Sequence, residues 1–266
     1  MNGRECYQAG KLKEAIAAMT EEVKQHPADT SRRGFLCELL CFTGELEKAD
    51  RQLDVMGTQD PTAMVGISLF RQLIRAEQAR QQFYSEGRLP EFLDQPSPEL
   101  RLRLEASIQL REGQVKEAAR LLEQAEEQRA KPSGTCGGQP FTDFRDLDDL
   151  TASFFEVLTS NGVYYWVPMD RVEQLEFRPP TRPRDLLWQR VHMVVSGGPD
   201  GEVYLPTLYA NTPQDADDRV RLGRATEWRG GEGEPTRGIG QRTFLVGEEG
   251  LPILELKEII VNSAAG

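Results

Sequence analysis

The chain has 266 residues, 38% hydrophobic and 28% charged, with a formal net charge of −11. That length allows two ordinary domains, while the acidity disfavours nucleic acid or an anionic membrane surface as the main partner. No stretch approaches the roughly 20 apolar residues of a membrane helix, and Met1 to Gly10 lacks the blocks of a signal peptide, so the expected compartment is cytoplasmic.

One short phrase recurs four times in the first half, beginning at Gly10, Gly44, Gly87 and Gly113. In three copies the glycine is followed by an apolar residue at the second position after it and an alanine at the fifth: Leu12 and Ala15, Leu46 and Ala49, Val115 and Ala118. The first two glycines lie 34 residues apart, as do Pro27 and Pro61, and 34 is the tetratricopeptide period. The spacing then drifts to 43 and 26. The expected architecture is an array of stacked helical hairpins, and such arrays bind partners more often than they turn over substrates.

Leu12, Ala15, Ile16, Met19 and Val23 share one helical face, and Phe35, Leu36, Leu39 and Leu40 complement it from the next helix. Cys37 and Cys41, four apart, read as small core residues rather than redox or metal groups. A long helix is expected from Ala63 through Ile67, Phe70, Ile74 and Phe83, ending near Gly87. After it, Pro90 and Phe92 distort the third copy, so its second helix is expected to run only about two turns. Arg71, Arg75, Arg101 and Arg103, at helical spacing, either line a concave groove or form a solvated face.

Residues 132–140, rich in proline and glycine, read as a linker between a helical repeat domain (1–131) and an α+β domain (141–266). Beyond it lies most of the excess acid, and Lys257 is the only lysine. Twelve arginines among so many acids point to planar, bidentate carboxylate pairing within a fold or interface. Asp146 to Thr159 reads as an amphipathic helix, and short strands are expected at 163–167, 174–177, 190–195, 202–205, 224–228, 243–246 and 253–261. A turn at Gly198 to Gly201 would join two of them into a hairpin. The expected sheet is mainly antiparallel, or a partial barrel.

Asp143, Asp146, Asp148 and Asp149 admit two readings. Hard cations take several carboxylate oxygens, which would make the cluster a metal-dependent hydrolase site; alternatively the acids cap a helix or pair with Arg145, Arg182 or Arg184. Tyr164 and Trp166 share one strand face and Tyr165 the other, so one face is core and the remaining aromatic is either structural or a partner anchor. Pro179 to Trp188, with Arg182, Arg184 and Asp185, is either a connector locked by arginine–carboxylate pairs or a recognition loop. Gly238 to Arg242 reads as a turn, since it opens no helix that could cradle phosphate. His192 reads as packed within or across strands, and four cysteines with two histidines indicate neither a disulfide framework nor a zinc site.

The stretches Phe141 to Asp149, Gly162 to Pro168, Pro179 to Trp188, Gly201 to Tyr209 and Arg221 to Trp228 resemble the ImpE family, also called TagJ or SciE, whose members are accessory proteins of bacterial type VI secretion. The helical repeats match that family more loosely. The resemblance implies no catalytic residue and no cofactor. It implies an adaptor that binds an amphipathic N-terminal helix of the small, TssB-type sheath subunit, and through the sheath connects indirectly to the ClpV ATPase. The side chains expected to carry partner binding are Arg71, Arg75, Arg101, Arg103, Tyr165, Arg182, Arg184 and Trp188. The alternatives are the metal-dependent hydrolase and a general peptide-binding chaperone of the tetratricopeptide type.

Overall fold

The computed structural model describes residues 1–262. Its first half contains α1 (Gly3–Gln8), α2 (Leu12–Gln25), α3 (Thr30–Phe42), α4 (Leu46–Gln59), α5 (Met64–Glu86), α6 (Pro98–Arg111) and α7 (Val115–Gln128). Helices α1 and α2, α3 and α4, and α6 and α7 pack as hairpins. At the four repeat glycines φ lies between +71° and +80°, a left-handed conformation that only glycine adopts without steric cost. The recurring phrase is therefore a recurring helix stop. Starts are fixed by side chains: Asn2 and Glu5 form a capping box, and Asp29 and Ser97 accept from the backbone N–H of Arg32 and Leu100, each cap contributing about 1 kcal/mol.

The third repeat departs from expectation. After α5 no second helix forms; Glu91 and Phe92 instead make a two-residue strand, β1, parallel to β6 (Tyr164–Pro168). Pro90 leaves no N–H for a helix ladder and favours an extended neighbour before it. The hairpin array thus feeds a strand into the sheet of the second half.

The remaining strands are β2 (Gly134–Cys136), β3 (Gln139–Phe141), β4 (Phe144–Asp146), β5 (Phe154–Leu158), β7 (Val172–Phe177), β8 (Trp188–Val195), β9 (Asp200–Pro206), β10 (Thr226–Arg229), β11 (Arg237–Gly240), β12 (Thr243–Val246), β13 (Glu249–Pro252) and β14 (Ile259–Val261), with a one-turn helix α8 (Asp218–Arg221). A nine-stranded sheet runs β1-β6-β5-β9-β8-β7-β14-β2-β3, antiparallel except at β1–β6, beside a three-stranded sheet β13-β12-β4 and a β10–β11 ribbon. The sheets are open; no barrel closes among the described residues. The segment 132–140 contributes β2 and most of β3 to the large sheet rather than hanging free.

The helix expected over Asp146 to Thr159 is β4, a run of turns and β5. Every residue of β5 is buried, because both faces of the sheet are covered, and a strand buried on both sides has no polar alternation to distinguish it from a helix. Phe154 and Leu158 face a core shared with the seven helices, together with Trp166, Trp188 and Tyr204. Phe155 and Val157 face a second core with Val191, Phe144 and Phe244, where Phe144 and Phe244 stack at 5.2 Å. The architecture is three layers: helices, large sheet, small sheet. All four cysteines are free and buried, and burial pushes the Cys37 thiol up to about 12.

Candidate functional site

Where α5 crosses the large sheet, the apolar layer is interrupted by charge. Arg80 donates to Glu77 and to Glu156 of β5, both at 3.0 Å, and to the Leu208 carbonyl at 2.9 Å. Arg242 donates to the same Glu156 carboxylate, as do the hydroxyls of Tyr84 and Tyr164. Burial alone would raise the Glu156 pKa, but Arg80 and Arg242 outweigh it and hold it down to about 2. Beside this group Tyr209 donates to Asp146 at 2.8 Å; burial raises the Asp146 carboxyl to about 6 against the pull of Arg242. Gly238, expected to be a turn residue, instead pairs with Trp228 in the β10–β11 ribbon, and the position suits glycine because a Cβ there would stand 2.1 Å from the Tyr209 ring.

The aspartates of the 143–149 cluster diverge onto separate arginines. Asp143 takes a bidentate pair from Arg129, Asp148 accepts from Arg237 at 2.8 Å, and Asp149 from Arg145 at 2.9 Å. Among the described residues no three of His, Cys, Asp and Glu converge as metal ligands. The arginines Arg182 and Arg184 do not pair with this cluster.

Those two arginines instead edge a groove of about 550 Å³ between the helical hairpins and the loop after β7. Phe35 of α3, Leu53 and Met56 of α4, and Ile67 and Phe70 of α5 form its floor. The Arg184 guanidinium lies 4.8 Å from the Phe70 ring centroid, and Arg4, from α1, lies 4.5 Å from that of Phe35, both within cation–π range. Glu38, which also lines the groove and is half-buried, has its carboxyl raised by burial to about 7, with Arg184 and Arg182 opposing. The loop is locked, but not by arginine–carboxylate pairs: Asp185 accepts from the Thr181 and Arg182 backbone N–H groups and from the Thr181 hydroxyl. Its carboxylate holds the backbone, which leaves the guanidinium groups facing the groove.

Of the other residues expected to touch a partner, Trp188 is buried beneath the groove, edge-on to Phe70 at 6.0 Å and donating to Glu77 at 3.1 Å. Arg103 is fully buried, paired with Glu99 and donating to the Asp149 carbonyl. Tyr165 is partly buried against the second core. Arg71 is held by Asp50 and Asp54 at 2.8 Å each, and Arg75 and Arg101 are exposed on α5 and α6. His192 pairs across strands with Asp200 at 2.8 Å. The spacing of Arg4 and Glu38 gave no sign that they share a groove, since their elements meet only in the folded chain.

Among the described residues no helix is long and apolar enough to cross a membrane. Residues 138–260 match the family model described as ImpE protein. The type VI secretion system accessory component TagJ of Pseudomonas aeruginosa is 32% identical over 97% of this chain and 90% of its own length. The X-ray crystal structure of protein VPA1032 from Vibrio parahaemolyticus superposes with a TM-score of 0.93 at 28% identity, covering 99% of this chain and 98% of that one. Similarity of this extent, through helices and sheets alike, means that the chain belongs to the ImpE/TagJ family.

Proposed function

We propose that the protein is a non-enzymatic accessory component of a type VI secretion system, and that the groove between the helical hairpins and the Thr181–Arg184 loop captures an amphipathic helix of the small, TssB-type sheath subunit. The observation that carries this reading is the groove's composition. An apolar floor, two exposed arginines (Arg4 and Arg182) and the stacked Arg184 suit a helix that buries one face and lays polar groups along the rim. The similarity to an accessory component supports the system, and the family resemblance of Pro179 to Trp188 supports this loop as part of the site. Connection to the ClpV ATPase would follow indirectly, through the sheath.

Calorimetric titration of the protein with a peptide of the cognate sheath subunit's N-terminal helix tests the reading. Micromolar binding that is lost on Arg182→Glu, at an exposed rim position, is the expected outcome, and no heat at micromolar concentrations would sink it. Competition by unrelated amphipathic helices with equal affinity would instead favour a general peptide-binding chaperone.

A further inference from the structure

A second concavity lies at the β1 edge of the nine-stranded sheet. It encloses about 290 Å³ between β1, the loop into α6 and the end of β6, near the lower limit of about 300 Å³ for ligand pockets. That size suits one or two inserted side chains. Phe92, Leu100, Trp166 and Pro168 supply apolar wall. Ser153 also lines the cavity, and its Oγ is screened from solvent without a hydrogen-bond partner, a costly state unless something completes it.

The charge around the cavity has one dominant sign. Asp94, Asp170 and Glu99 all border it, against one arginine, Arg171. Arg171 is already paired with Asp94 at 2.8 Å, and Glu99 with Arg103. Asp170 is exposed and makes no ion pair among the described residues. Outside the cavity, Leu89 and Leu93 flank β1 at 67% and 37% exposure. β1 covers only two of the five residues of β6 and, among the described residues, has no strand on its other side, an arrangement open to addition of an extended segment.

We infer that this cavity is a second docking site, taking an extended segment of a partner protein that carries a lysine or arginine between apolar residues. The cationic side chain enters beside Ser153 and Asp170, its stem lies against Phe92 and Trp166, and the apolar neighbours cover Leu89 and Leu93. An acidic segment is disfavoured, because it would bring a carboxylate against Asp170, which no cation offsets among the described residues. This site shares no residue with the groove at Phe35 and Phe70, so its test is independent of that assignment.

The test is a titration of the isotope-labelled full chain, followed by amide chemical shifts, with the capped peptides Val-Lys-Val-Lys-Val and Val-Glu-Val-Glu-Val. The lysine peptide should shift Leu93, Ser153 and Asp170 and bind at least tenfold more tightly than the glutamate peptide. Asp170→Asn, at an exposed position, should weaken lysine-peptide binding severalfold without changing the melting temperature. Ser153→Val should weaken it further by filling the cavity. Equal response to both peptides, shifts confined to the Phe35–Phe70 groove, or no shift at millimolar peptide would each overturn the assignment.

Discussion

Glu156 of β5 and Arg80 of α5 lie 76 residues apart in the chain and meet at 3.0 Å, with no more than 3% of either side chain exposed. The helical array and the large sheet are thus joined by charge as well as by apolar packing. A buried pair of this kind is not a large net source of stability, since desolvation offsets much of its attraction. Breaking it is costly, because the survivor stays buried.

Glu156→Ala removes the carboxylate shared by Arg80 and Arg242 and leaves Asp146, at 3.6 Å, as the remaining carboxylate beside Arg242 among the described residues. The expected loss is about 3–5 kcal/mol, measured by urea unfolding with circular dichroism. A change below about 1 kcal/mol would mean that water or a rearranged side chain replaces the carboxylate.

Gly238→Ala should displace Tyr209 from Asp146, because the new Cβ would stand 2.1 Å from the ring. Overpacking of this kind costs about 1–3 kcal/mol. Thermal melting checks it, and Tyr209→Leu in the same chain should relieve part of the loss by removing the ring that clashes.

Glu38 gives stability a pH dependence. Its folded pKa of about 7 lies above the ordinary 4.5, so between those values the folded state holds more protons than the unfolded one. This contribution therefore falls as pH rises from 4.5 to 7. Glu38→Gln should remove that slope and gain on the order of 1–2 kcal/mol relative to the parent at pH 7.5, after allowance for partial solvent screening. Urea midpoints of the two proteins at pH 5 and pH 7.5 give the comparison.

Gly66 lines the groove, and nothing lies within 4 Å of a Cβ built there. Gly66→Leu should strengthen α5 by up to about 1 kcal/mol through helix propensity while placing a side chain where the partner helix would lie. Sheath-peptide affinity should fall at least tenfold, about 1.4 kcal/mol, as melting temperature holds or rises. Loss of binding together with loss of stability would show damage to the fold instead.

The helical half was legible outside its third repeat. Gly10, Gly44, Gly87 and Gly113 each end a helix, and the apolar faces around Leu12, Leu39 and Phe70 are core, because helix periodicity and helix stops are local properties of the chain. Seven of the thirteen strands β2 to β14 overlap an expected strand, although in the run expected at 253–261 only Ile259–Val261 is strand. The β8–β9 hairpin forms two residues earlier than expected, turning at Ser196 to Pro199, with Asp200 and Gly201 already paired to Val194 and Met193 in the ladder. Two local readings failed for the same reason. The apolar run at Phe154 to Leu158 and the proline-broken segment at Glu91 and Phe92 became strands because a sheet from elsewhere in the chain was there to pair with them.

What the sequence by itself determined is the array of hairpins, the strand-rich second half and, through its longer phrases, the family. Only the tertiary structure decided where the charges act. Arg103, Glu156 and Trp188 carry the same side-chain chemistry as residues on an open surface, yet they are sealed between helices and sheet. Arg4, Glu38, Arg182 and Arg184 come from distant segments and converge on one groove. Burial and convergence depend on which faces pack together, a property of contacts between remote segments that no local spacing records.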